Sequence, residues 1–291
     1  MSNYVDLHIH STFSDGTLTP TEIVQQASRH GLRAIALADH DNIDGIPEAI
    51  HAAQKIGLEV LTGVELSVVW QSYQDIHLLG YDFDPDNPGL NQALVEFRTF
   101  RVKRNRLILE KINQKLIGQG RSPLAKEHVE SSAGGTIGRP HIGQALVAAG
   151  YAKDLERAFD EYLVPCNVPK RYFPIDEAIS LVHAAGGCAV LAHPPFIKAS
   201  DVVLEELLSA FIGFGLDGLE VYNTGTDNQG IDQYITIARQ MDLVVTGGSD
   251  FHQPVDGGVK IGVGRGNLKI PYQCVEEIRS SALRYKTPSR K

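Results

Sequence analysis

Asp6-Leu7-His8-Ile9-His10 is the stretch on which the fold turns. On a strand, residues two apart point the same way, so His8 and His10 share one side while Leu7 and Ile9 face the other. The same motif recurs downstream: a short apolar run that ends in imidazole or carboxylate. Ala34 to Ala38 ends in Asp39-His40-Asp41, Val60 to Val64 ends in Glu65, and Ile76 precedes His77. Cys188 to Ala192 ends in His193, Gly218-Leu219 leads to Glu220, and Leu243 to Thr246 runs into Asp250 and His252. No ordinary core needs that pattern. Catalytic groups of a βα barrel come from the carboxyl ends of several strands, and imidazole with carboxylate is the donor set of zinc, manganese and iron.

Helix patterns alternate with these runs, as an α/β architecture requires. Thr19-Pro20-Thr21-Glu22 reads as a capping box with proline in the first turn, opening a helix that closes at Gly31. Further helices are expected at 46–56, 175–185, 201–214, 227–241 and near 272–285. Strands are expected at 34–38, near 59–66 and 75–81, and at 188–193, 217–222 and 243–247. The turn-rich Asp82 to Pro88 breaks this rhythm and is followed by a long helical run to about Gly118. There Val95, Val102, Leu109 and Leu116 recur every seven residues as an apolar stripe with Ile112 beside it, while Arg98, Arg101, Arg104, Arg106 and Lys115 lie largely elsewhere. Shorter helical patterns near 124–131, 140–149 and 154–162 complete a small helical insertion. The division expected is a barrel from 1–90 and 173–291 with a cap at 91–172.

Charge follows the same division. Residues 91–172 carry 14 Lys/Arg against 8 Asp/Glu, a balance of +6, and the remainder holds 13 against 27, a balance of −14. A carboxylate-rich part suits cations and a basic part suits anions; a solvated helix face with no partner is the alternative reading. Cys166, Cys188 and Cys274 are far apart and lack a C-x-x-C pair. With no apolar run of membrane length and no signal-peptide profile, a reducing cytoplasm is expected.

His8-x-His10 alone leaves a metal and a pair of hydrogen-bonded imidazoles both open. With D-L-H-I-H-S at 6–11, S-D-G at 14–16, A-D-H-D at 38–41, G-V-E-L-S at 63–67, I-H at 76–77, A-H-P at 192–194 and G-S-D-F-H at 248–252, the chain resembles the PHP (polymerase and histidinol phosphatase) superfamily of metal-dependent phosphoesterases. The resemblance implies a distorted (βα)7 barrel holding up to three divalent ions, manganese first, with zinc, iron or magnesium as alternatives. It places one ion on His8, His10, Glu65 and Asp250, a second on Glu65, His77 and His193, and a third on Asp15, His40 and His252. Asp6, Asp39 and Asp41 are expected to accept an N–H from a ligating imidazole, and Glu220 either orients a ligand or merely ends a strand.

Within the insertion Gly138-Arg139-Pro140-His141, preceded by Gly135 and Thr136, opens a helix. A helix start with a guanidinium suits phosphate, and an exposed capping turn is the competing reading. The Arg-x-His placement, with Val68 to Trp70 and His77 to Tyr81, is similar to the subgroup of 3',5'-nucleotide bisphosphate phosphatases and 5'-to-3' exoribonucleases of the RNase AM type. That likeness implies that Arg139 and His141 bind substrate phosphate, and that the substrate is a nucleotide or short RNA hydrolysed by metal-activated water. Two stretches depart from it: His193-Pro194-Pro195-Phe196-Ile197 replaces H-P-G-R-Y, and Cys166 to Lys170 replaces G-K-x-G-Y-V. A histidinol-phosphatase-like enzyme, a noncatalytic nucleotide-binding module and an amidohydrolase-like deacylase remain alternatives. Nothing in the sequence calls for a membrane or an obligate protein partner.

Overall fold

A computed structural model describes residues 3–125, 129, 138–197, 203–266 and 268–286. The expected helix near 124–131 and the lead-in residues Gly135 and Thr136 fall largely outside them. The chain divides into two compact units, 1–94 with 172–291, and 95–171.

In the larger unit, β1 (Tyr4–Ile9), β2 (Ala34–Leu37) and β3 (Glu59–Leu61) run parallel, with the short β10 (Ile270–Pro271) antiparallel to β1. A second sheet has the order β6-β4-β5-β7-β8-β9, from β4 (Gly63–Trp70), β5 (Tyr73–Tyr81), β6 (Phe173–Pro174), β7 (Cys188–Leu191), β8 (Gly218–Tyr222) and β9 (Val244–Gly247). Single bridges join the sheets at both margins, His40 to Glu65 and Ile9 to Phe251, so β1, β2, β4, β5, β7, β8 and β9 close a ring. The distortion lies in β5, which is antiparallel to both β4 and β7. The single strand expected at 59–66 is two strands. Gly63 passes so close to β2 that a Cβ there would lie 2.4 Å from the Leu37 carbonyl oxygen; the ladder to β2 lapses after Leu61 and pairing resumes at the His40–Glu65 bridge.

Helix α1 (Pro20–Arg29) begins as its sequence dictates. The Thr19 hydroxyl accepts from Glu22 N–H (3.2 Å) and the Glu22 carboxylate accepts from Thr19 N–H (2.8 Å). Its inner residues Ile23, Val24 and Ala27 pack with Ile9, Ile35, Leu37, Ala49 and Phe251 into a fully buried cluster under α2 (Ile46–Gln54). Burial on this scale stabilises by about 1.5–3 kcal/mol per large aliphatic side chain.

At the amino-terminal end of β8, Asp217 ties the last elements together. Its Oδ1 accepts from Arg284 Nη2 (2.6 Å) and Tyr285 OH (2.8 Å), and its Oδ2 accepts from Ala189 N–H and lies 2.8 Å from His183 Nε2. The His183 ring stacks on Tyr285.

In the smaller unit the long α3 (Pro88–Gly118) packs with α4 (Arg139–Ala148) and α5 (Leu155–Ala158), which runs into a π turn at Phe159–Leu163. Ile108, Ile112, Leu116, Ile142, Leu146 and Tyr162 form its core. The expected stripe is wrong at its amino-terminal end: Val95 and Val102 are exposed, while Leu94, Phe97, Arg104 and Asn105 are buried. A strict seven-residue repeat drifts by about 20° per heptad on a straight helix, so only its last members stay on the buried face. Arg104 is accommodated by Nε donating to the Val168 carbonyl (2.7 Å) and Nη2 to Asn167 Oδ1 (2.9 Å). Among the described residues no helix is long and apolar enough to cross a membrane.

Candidate metal centre

Glu65 is the hub of the larger unit. It sits two residues into β4, is 1% exposed, and gathers five imidazoles from four other segments. Its Oε1 lies 2.8 Å from His77 Nδ1 and 3.0 Å from His193 Nε2; its Oε2 lies 3.0 Å from His40 Nδ1, 3.3 Å from His10 Nε2 and 3.4 Å from His8 Nε2. Asp250 Oδ1 approaches His10 Nε2 at 3.1 Å and His8 Nε2 at 3.5 Å. Asp15 reaches His252 (3.4 Å), His10 (3.7 Å) and His40 (3.8 Å). All nine residues expected as ligands therefore converge on one cluster at the carboxyl end of the barrel. Ligand atoms close enough to share an ion come from His8, His10 and Glu65; from His40, Glu65 and His77; and from His10, Asp15, His40 and His252. His10 and His40 thus stand between groups that the resemblance kept apart.

The donor set fits divalent cations. Glu65 Oε2 and Asp15 Oδ1 are buried oxygens that accept no hydrogen bond, and His8 Nε2 faces His10 Nε2 at 3.1 Å. Buried anionic oxygens without donors are costly, and a cation among nitrogen and carboxylate donors removes that cost.

Electrostatics agree. Burial favours the neutral acid at Glu65, yet the imidazoles of His77, His40 and His8 hold it well below the usual carboxylate range. Burial opposes ionisation of Asp250 and Asp15 too, but neighbouring imidazoles hold both low. Burial, with His252 and His40 nearby, pushes His10 down to about 3, so its ring is neutral and its lone pair open to a cation. His8 is buried as well, but Glu220, Glu65 and Asp250 drive it well above the ordinary imidazole value.

Of the four carboxylates expected as supports, Asp39, Asp41 and Asp6 have other partners. Asp39 accepts from Ser11 N–H (2.7 Å), Ser11 Oγ and Ser14 Oγ, and Asp41 from Ser67 N–H and Oγ (both 2.9 Å). Both carboxylates are thus taken up by serines, and Asp41 has left the extended conformation, with φ at 50°. Asp6 takes Ser249 N–H (2.8 Å) and Gly262 N–H (2.7 Å), tying the loop after β9 to β1, and burial raises its carboxyl to about 6. The acid that reaches a candidate ligand ring is Glu220. Fully buried, it places Oε1 2.9 Å from His8 Nδ1 and accepts His193 N–H on Oε2 at 2.7 Å. A lone acid ending an apolar strand was the available signal, and it was too weak to separate this role from chain termination.

Backbone strain collects here. His193 and Asp250 have positive φ, 24° and 56°, a conformation that costs non-glycine residues and is held only where surroundings impose it. Gly248 lets the last loop lie on β1, since a Cβ there would be 2.0 Å from that of His8.

Arg139 and His141 belong to the smaller unit. The Arg139 guanidinium lies 5.7 Å from the Phe159 ring centroid, and His141 Nδ1 accepts Gly138 N–H at 2.9 Å, closing the first turn of α4.

A seven-stranded α/β ring carrying this imidazole–carboxylate cluster defines the class as a barrel built to gather metal ligands. Comparison gives the family: the PHP domain matches residues 6–164, and the chain belongs to that family. A 5'-3' exoribonuclease of Haemophilus influenzae is 36% identical over 90% of this chain and 94% of its own length. A 3',5'-nucleoside bisphosphate phosphatase of Chromobacterium violaceum is 33% identical over 89% and 90%. Among solved structures, a candidate metal-dependent phosphoesterase from Bifidobacterium adolescentis superposes with a TM-score of 0.81 at 34% identity, covering 97% of both chains.

Proposed function

We propose that this protein is a metal-dependent phosphoesterase that removes phosphate from nucleotide substrates: 3',5'-nucleotide bisphosphates, short 5'-phosphorylated RNA cleaved from its 5' end, or both. The observation that carries the reading is Glu65 Oε2, buried, without a hydrogen-bond donor, and ringed by nitrogens of three histidines. His8, His10 and Asp250 with Glu65 are the residues to hold one ion, His77 and His193 with Glu65 a second, and Asp15, His40 and His252 a third. Manganese leads, with iron, zinc and magnesium as competitors that nitrogen and oxygen donors also accept. Bound divalent ions supply Lewis acidity and activate water for in-line attack on phosphorus.

The chain's own residues do the positioning. Glu220 fixes the His8 ring and the turn bearing His193, Asp6 holds the Asp250 loop on β1, and Glu65 links five imidazoles from four segments. Arg139 and His141 take a substrate phosphate. An eligible helix start, a planar guanidinium and the basic balance of 91–172 support that role. The relatives named as exoribonuclease and bisphosphate phosphatase support the nucleotide class. Three buried, unpaired cysteines suit a reducing cytoplasm.

The test is phosphate release from adenosine 3',5'-bisphosphate, a 5'-phosphorylated oligoribonucleotide and histidinol phosphate, compared side by side with added manganese. Turnover of either nucleotide above histidinol phosphate is expected. Preference for histidinol phosphate would replace the reading, and release from none of the three would end it. Arg139→Ala should lower kcat/KM on the nucleotide; unchanged turnover at subsaturating substrate removes that residue from the site.

A further inference from the structure

We infer that Phe196 is a stacking platform for the base of the nucleotide, an inference that rests on the function proposed above. Phe196 is 51% exposed, although it is held on a short rigid turn. That turn, Pro194–Phe196, follows β7 directly, and Phe196 N–H closes it on the His193 carbonyl at 3.0 Å. Two prolines fix φ at consecutive positions, so little backbone freedom remains to be lost when a ligand arrives.

The ring also has a seat. A Cβ on Gly225 would lie 2.6 Å from Phe196 Cζ and 3.1 Å from Cε2, so the ring edge rests where only glycine leaves room. The Gly225 loop is itself fixed: Asn223 Oδ1 accepts from Gly225 N–H (3.0 Å) and Thr226 Oγ1 (2.9 Å). Phe196 is therefore held against backbone on one edge with half its surface open.

Its neighbour decides what that surface is for. The centroids of Phe196 and His193 are 5.6 Å apart, with rings tilted by 60°, which puts the open aromatic surface beside a residue of the candidate metal centre. A phosphate at that centre carries its sugar and base into the adjoining space. A flat apolar ring there offers a base a stacking partner and offers phosphate nothing. The position departs from the H-P-G-R-Y pattern in this respect: an apolar ring stands where that pattern has a cation, so recognition shifts from charge toward the base.

Calorimetric titration of the manganese-loaded protein with adenosine 5'-monophosphate and with ribose 5-phosphate tests this. Phe196→Ala should weaken adenylate binding by about tenfold to a hundredfold, the range for loss of one base–aromatic stack, while Phe196→Trp stays within about threefold of the parent. Phe196→Leu, of similar apolar bulk but without a π face, should behave like the alanine variant. Ribose 5-phosphate affinity should be the same in all four proteins. The inference is overturned if the parent binds adenylate no better than ribose 5-phosphate, if leucine serves as well as phenylalanine, or if both ligands lose affinity together. None of these readouts needs turnover, so a parent that binds adenylate through Phe196 but releases no phosphate would sink the proposed hydrolysis and leave the stacking site standing.

Discussion

Two clusters of histidine and carboxylate sit at opposite ends of the same barrel, and they are wired differently. At the amino-terminal end of β8, each Asp217 oxygen meets its donors: Ala189 N–H and His183 on one, Arg284 and Tyr285 on the other. At the carboxyl end, Glu65 and Asp15 each keep a buried oxygen without a hydrogen bond, amid imidazole nitrogens. The first cluster is complete with the protons it carries. The second is complete only with further positive charge. Composition does not separate the two; the count of donors against acceptors does.

The largest effect expected is from Glu65→Gln, which exchanges the hub carboxylate for a neutral amide of the same shape. Metal-dependent phosphate release should fall to background, and added manganese should no longer raise the melting temperature. In the parent a hundredfold excess of metal over its Kd stabilises by about 2.7 kcal/mol. Retained activity in the variant would break the contrast between the two ends.

Asp217→Ala tests the other end. Removing one partner of a buried ion pair costs about 3–5 kcal/mol, and because Arg284 reaches solvent the cost here should be roughly 2–3 kcal/mol in urea unfolding. Turnover per folded molecule should be unchanged; a lost kcat at full folding would show that this end also serves the chemistry. Glu220→Gln is intermediate in kind, touching ligand orientation without removing a ligand. Metal affinity, followed by titration of the metal-free protein, should drop about tenfold to a hundredfold.

The smallest effect belongs to Glu277 in α9 (Gln273–Lys286), which accepts from Arg239 through both oxygens and from Val245 N–H at the start of β9. Although partial burial opposes it, these donors hold its carboxyl below the ordinary glutamate value. Such a group stabilises above its unfolded-state pKa, and the gain disappears as pH falls through the folded-state value. Glu277→Gln should therefore cost about 1 kcal/mol near neutrality, with parent and variant converging in acid when unfolding is followed against pH.

The candidate ligands were legible because the motifs that carry them, from D-L-H-I-H-S at 6–11 to G-S-D-F-H at 248–252, together resemble one family, whereas His8-x-His10 by itself left a metal and a hydrogen-bonded pair both open. Direction was not legible. The alternation of β5 is the same read forward or backward, so its antiparallel course could not be foreseen. Nor was the break between β3 and β4, which depends on how near Gly63 comes to a carbonyl on another strand. Asp6, Asp39 and Asp41 looked like ring partners through sequence proximity. Asp39 and Asp41 are instead occupied by Ser11, Ser14 and Ser67, and Asp6 by the N–H groups of Ser249 and Gly262. The partner His8 does have, Glu220, is 212 residues away in sequence, beyond the reach of any local pattern.

Gly248 carries a consequence for biosynthesis. Because the loop bearing Asp250 and His252 rests directly on the strand bearing His8, the first ligands made must wait for the last. A nascent chain still short of residue 252 lacks Asp250 and His252, so the candidate cluster is whole only once the closing loop has been made and laid on β1.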